Sequence, residues 1–114
     1  MLSLKKMIAV QFIDRYVTVK TDKTSYSRGA TVTTTVTVKD SSSLILLNGA
    51  SVSLKITRNG QTYYSSSGLT NSAGTITFSY RLSNSAIRGT YLDTAAVTLS
   101  GYSMGTGQAS FTVN

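Results

Sequence analysis

Four aspartates, Asp14, Asp22, Asp40 and Asp93, are the only acidic residues in this 114-residue chain, and histidine, cysteine and glutamate are absent. That inventory removes Ser-His and Cys-His nucleophiles, zinc sites built on His or Cys, and acid/base work by Glu. Two aspartates can share the labour of glycoside hydrolysis. These four are far apart in sequence, however, and Asp22 and Asp40 stand at strand ends where aspartate usually shapes a turn. The expectation is a protein that is not an enzyme and takes no cofactor. A hard cation would need oxygen ligands from Asp22, Asp40, Asp93, Asn71 and loop carbonyls, and no D-x-D-x-D spacing arranges them.

The tyrosines offer a second chemistry. There are seven, against three Phe and no Trp. Tyr63 and Tyr64 are adjacent, so in a regular strand one ring of the pair points outward. Tyr102 lies in the glycine-rich segment "GYSMGTG". Exposed rings stack on sugar faces while Asn and Ser supply polar contacts, which makes Tyr63, Tyr64 and Tyr102 candidate glycan contacts. The alternative is that one ring of the pair covers a core edge and Tyr102 plugs the end of the fold.

Eleven Lys and Arg give a net charge of +7. This serves solubility, or attraction to an acidic partner such as a cell-wall or extracellular polysaccharide. The basic residues are scattered, with Lys5-Lys6 the one adjacent pair. That scatter argues against nucleic acid, whose binders concentrate charge or interleave it with aromatics.

The elements that must position these residues are strands. Val32, Thr34, Val36 and Val38 alternate with Thr33, Thr35, Thr37 and Lys39. Val52, Leu54 and Ile56 repeat the pattern, as do Ile76, Phe78 and Tyr80, and later Phe111 and Val113. Period two with one apolar face marks antiparallel sheets covered on one side. "NG" at Asn48-Gly49 and Asn59-Gly60, then Gly29, "NSAG" at 71–74 and Arg88-Gly89 punctuate the runs. About seven strands without a helical period predict an all-β sandwich. Its expected core is Val32, Val36, Val38, Val52, Leu54, Ile56, Ile76, Phe78, Tyr91, Val97 and Phe111, with turns at Tyr26, Gly29, Gly74 and Gly89. The phase that buries Tyr91, Ala95 and Val97 also turns Asp93 inward, which a bulge or a place at the sandwich end would relieve.

Serine and threonine make up about a third of the chain, a composition that fits an extracellular or cell-surface setting. Residues 1–14, "MLSLKKMIAVQFID", are broken by charge and too short for the ~20 apolar residues of a spanning helix. They read as a linker or an extra N-terminal strand, with a β-sandwich domain over 15–114. An apolar segment that completes a neighbouring subunit's sheet is a further reading of the same residues.

Asp22-Lys23, Tyr26, Gly29 and Val32, then Gly49 and Val52, Thr70 and Gly74, and Gly89 and Tyr91 form a recognisable series. It resembles the D-K-x-x-Y-x-x-G-x-x-V opening, G-x-x-V, T-x-x-x-G turn and G-x-Y strand of macroglobulin-type and bacterial Ig-like modules of surface and secreted proteins. Arg28 stands where that family usually carries proline, and no thioester motif is present. The resemblance implies an Ig-like (fibronectin type III/macroglobulin-like) antiparallel sandwich. It implies a spacer, stalk or adhesion module of a larger surface or secreted prokaryotic protein, partnered by that protein's neighbouring domains. Such domains also suggest a lysine–asparagine isopeptide crosslink, here Lys20 or Lys55 assisted by Asp93. A carbohydrate-binding module and a filament subunit are the alternative functions.

Overall fold

The computed structural model describes residues 15–40, 45–99 and 105–114. Eight strands follow in order: β1 (Arg15–Thr21), β2 (Ser25–Tyr26), β3 (Thr31–Asp40), β4 (Ser51–Arg58), β5 (Gln61–Leu69), β6 (Thr75–Arg81), β7 (Gly89–Thr98) and β8 (Gly105–Val113). They form one sheet of order β1-β3-β6 and a second of order β2-β8-β7-β4-β5. All pairings are antiparallel except β2 with β8. The loop between β6 and β7 forms no helix, only a turn closed by Ala86 N–H donating to the Ser83 carbonyl. This is an all-β, Ig-like sandwich. Residues 1–14, expected to be a linker or an extra N-terminal strand, lie outside the described residues.

The hydroxyl-rich alternation decides which face each strand buries. Val32, Val36 and Val38 of β3 and Val52, Leu54 and Ile56 of β4 are buried, while their neighbours face outward or sit at the margin. Tyr91, Val97, Phe78 and Phe111 are buried with them. Ile76 is only partly buried because β6 is a sheet edge, and its Cδ1 occupies the space that a side chain at Gly68 would fill. The apolar interior falls into two clusters. One gathers Val36, Val38, Val52, Leu54, Phe78 and Val97; the other gathers Tyr26, Val32, Ile56, Leu82, Tyr91 and Phe111.

Register fixes the two ends of the sandwich. Arg15 pairs with Asp40 at what we term the proximal end, beside the turns at 47–50 and 70–74. Asn114 follows β8 at the distal end, where its N–H donates to the Tyr26 carbonyl. The distal end also carries the Ser27–Ala30 turn, the β4–β5 hairpin and the loop 82–88. That hairpin turns on Asn59 and Gly60, at φ 50° and 80°. Both central residues at positive φ match the twist of the flanking strands, which is why Asn-Gly is favoured there. Gly29, Gly74 and Gly89 also have positive φ.

Candidate functional site

The aspartates are kept apart by the fold. Asp22 lies at the distal end, Asp40 at the proximal end, and Asp93 in the interior. Among the described residues no three acidic groups approach closely enough to hold a metal ion. Asp22 instead fixes a turn: its Oδ1 accepts from the Tyr26 hydroxyl at 2.5 Å and from the Thr33 N–H at 3.1 Å. The Tyr26 bond holds the Asp22 carboxyl below its usual pKa. Burial, reinforced by that carboxylate, pushes the Tyr26 hydroxyl up to about 12. Asp22, Lys23 and Tyr26 therefore form a clasp that seats the Tyr26 ring edge-on against Phe111, centroids 5.3 Å apart.

Asp93 is fully buried between the two apolar clusters. Neither a bulge nor the sandwich end receives it; β7 keeps unbroken register with β4 and β8 through this residue. The relief comes from the opposite sheet, where the Thr34 hydroxyl donates to Asp93 Oδ2 at 2.5 Å. Among the described residues Oδ1 is buried without a partner. Desolvation raises the Asp93 pKa to about 6, against the opposing effect of Thr34. Lys20 and Lys55 are exposed, and Lys55 alternates with the buried Leu54 and Ile56. Both lysines point away from the inner face that holds Asp93, so the expected crosslink geometry is not assembled.

Tyr63 and Tyr64 do not divide between two faces. Between Ile56 and Thr57 the β4–β5 register shifts: Ile56 pairs with Tyr64 and Thr57 with Thr62, leaving Tyr63 as the extra residue of a bulge. A bulge re-aims the side chain it carries. Both rings are half-buried; Tyr63 packs edge-on to Tyr91 at 5.5 Å and Tyr64 tilts against Tyr80 at 5.0 Å. Tyr102 lies outside the described residues. Tyr91 anchors the corner before β7, its hydroxyl donating to the Ile87 carbonyl at 2.6 Å. Burial raises its pKa, against the pull of nearby Arg58 and Arg28.

Those arginines belong to a grouping that linear sequence conceals. Arg28, Arg58, Arg81 and Arg88, four of the five arginines, all stand at the distal end. Arg28 Nε donates to the Ala86 carbonyl at 2.7 Å, and Arg81 Nε to the Gly29 carbonyl at 3.2 Å. The Arg58 guanidinium lies along Gly89, its Nε 3.1 Å from where a Cβ there would stand. A shallow pocket of about 290 Å³ opens beside them, lined by Arg81, Leu82, Ser83 and Asn84. Arg28, Arg58 and Arg81 are far apart in sequence, and the register of β3 with β6 and of β4 with β7, together with the packing of the two sheets, brings them to one end. Local charge counting had no signal for the group.

No family model matches the chain, and no curated protein matches it significantly. Solved structures do. The D00-D0 domain of intimin matches with a TM-score of 0.60 and 21% identity over 92% of this chain. The Yersinia pseudotuberculosis adhesin InvE matches at 0.63 and 17% over 90%. A CARDB domain from Pyrococcus furiosus, solved with di-metal ions, matches at 0.55 and 15%, covering 90% of both chains. The chain spans 49% of the intimin fragment and 32% of the InvE chain. These neighbours are Ig-like domains, and the likeness establishes the Ig-like β-sandwich as the fold of this chain.

Proposed function

We propose that the chain is a non-enzymatic structural or adhesion module, a spacer or stalk unit of a larger cell-surface or secreted prokaryotic protein. The observation that carries this reading is the placement of Arg15 and Asn114 at opposite ends of the sandwich. A module traversed from end to end adds its full length to a chain of domains, whereas one with adjacent termini adds little reach. Likeness to domains of intimin and of an adhesin supports the same reading. So does a composition rich in hydroxyls with only four carboxylates.

The test is a concatemer. Two, three and four copies joined from Asn114 to Arg15 are measured by small-angle X-ray scattering. A spacer gives a maximum dimension that rises by one module length per copy. Concatemers that fold back into compact particles would dismiss the proposal.

A further inference from the structure

We propose that the arginine-bearing distal end is a binding surface for a carboxylate-bearing polysaccharide, with the pocket beside Arg81 receiving one uronate residue. Three observations converge. First, the arginines are positioned by the fold through consecutive contacts: Arg81 with Gly29, Arg28 with Ala86, and Arg58 with Gly89, which follows Arg88. Arg28 and Arg81 each donate Nε to a backbone carbonyl, which orients the guanidinium and, among the described residues, leaves its two terminal nitrogens for another acceptor. A guanidinium held in this way presents a planar fork that matches a carboxylate.

Second, local charge is unbalanced. Lys23 is exposed at the same end, and Asp22, the acidic side chain there among the described residues, is occupied by Tyr26 and Thr33. Third, the pocket mixes the groups that a charged sugar needs. Arg81 faces the carboxylate, Ser83 and Asn84 offer polar contacts to hydroxyls, and buried Leu82 gives an apolar floor. Its volume of about 290 Å³ lies near the lower end of small-ligand sites. The half-exposed Tyr63 ring, close to Tyr91 and the arginines, adds a face for a second sugar.

Nucleic acid fits this end less well. Single strands are held by a basic track with successive open stacking rings, whereas here the half-buried Tyr63, Tyr64 and Tyr80 are packed against other tyrosine rings beneath a cap of arginines. The inference is independent of the spacer reading, since a module that failed to extend in concatemers could still bind through this end.

Calorimetry on the full chain tests it, with polygalacturonate, its methyl ester, and a single-stranded oligodeoxynucleotide as probes. Polygalacturonate binds and the methyl ester, which has lost the charges but kept the sugar rings, does not. The double variant Arg28→Gln/Arg81→Gln weakens binding about tenfold or more, as expected for lost charge-assisted hydrogen bonds. Lys20→Gln/Lys55→Gln removes the same charge from other faces and leaves binding within about twofold. Arg81→Lys keeps the charge, loses the fork and weakens binding; Arg88→Gln, at an exposed residue, weakens binding even if the double variant proves unstable. Equal losses in the two double variants, no binding to polygalacturonate, or tighter binding to the oligonucleotide would overturn the proposal.

Discussion

A carboxyl group without charged neighbours in an apolar interior gains little by ionising. Asp93 is such a group: its pKa stands at about 6, and its one donor among the described residues is Thr34. The sign follows from linkage. In the unfolded chain Asp93 ionises near 3.8, so below that pH both states hold the proton and no penalty arises. Between 3.8 and about 6 the unfolded chain loses its proton first, and stability falls as pH rises. Above about 6 the full penalty, about 3 kcal/mol, is present. Asp93→Asn is expected to raise stability at pH 7 by up to about that amount and to flatten the profile from pH 4 to 6. Urea denaturation across that range checks it; a variant no more stable than the parent at pH 7 sinks the idea. Asp22 acts in a different window: its lowered pKa makes stability fall as pH drops below the usual carboxylate range. Thr34→Val strips Asp93 of its donor and is expected to cost about 1.5–3 kcal/mol at pH 7, where the carboxylate is ionised. The inward turn of Asp93 was legible in the alternation of Tyr91, Ala95 and Val97. Its donor was not, because Thr34 is 59 residues away and only sheet-on-sheet packing brings the two together.

At the scale of the strand, period two read the inner faces of β3, β4 and β7 well, because each is interior to its sheet and long enough to repeat the pattern. It failed at β5, an edge strand whose bulge at Tyr63 adds one residue and puts both rings against the interior. The available signal was positional: an aromatic pair three residues after a two-residue Asn-Gly turn. Phe78 and Thr77 test the phase of β6. Phe78→Ala is expected to cost about 3–5 kcal/mol, and the exposed Thr77→Ala within about 0.5 kcal/mol, both measured by chemical denaturation; equal costs would refute the assigned faces. Gly107 reports on how closely the sheets meet. A Cβ there would stand 2.7 Å from the Val17 carbonyl oxygen and 3.0 Å from Val17 Cγ1. Because backbone cannot yield as a flexible side chain does, Gly107→Ala is expected to cost about 1–3 kcal/mol by overpacking. A thermal midpoint unchanged from the parent would show that β1 and β8 can separate freely.

For the whole molecule, the placement of Arg15 and Asn114 determines how the described fold bears a load applied between them. On the proposed stalk reading, load is carried along the line from Arg15 to Asn114. β1, β2 and β8 all run toward the distal end, and β2 pairs in parallel with β8. Force applied at Arg15 and Asn114 draws β2 proximally through β1 and draws β8 distally. The bonds between them, Thr112 N–H to the Thr24 carbonyl at 3.0 Å and Asn114 N–H to the Tyr26 carbonyl at 2.9 Å, lie across that force and are loaded together. Strands pulled in this sense must break their bonds at once, whereas strands peeled from one end break them singly. Single-molecule force spectroscopy should therefore give a higher unfolding force with handles at Arg15 and Asn114 than with handles at Asn59 and Asn114. The second pair lies at the same end and peels β8 from β7. Thr112→Pro removes the donor to Thr24 and is expected to lower the force in the first geometry while leaving the second nearly unchanged. Equal forces in the two geometries would show that the parallel β2–β8 pair does not bear load along the chain, and the stalk reading would lose its mechanical basis.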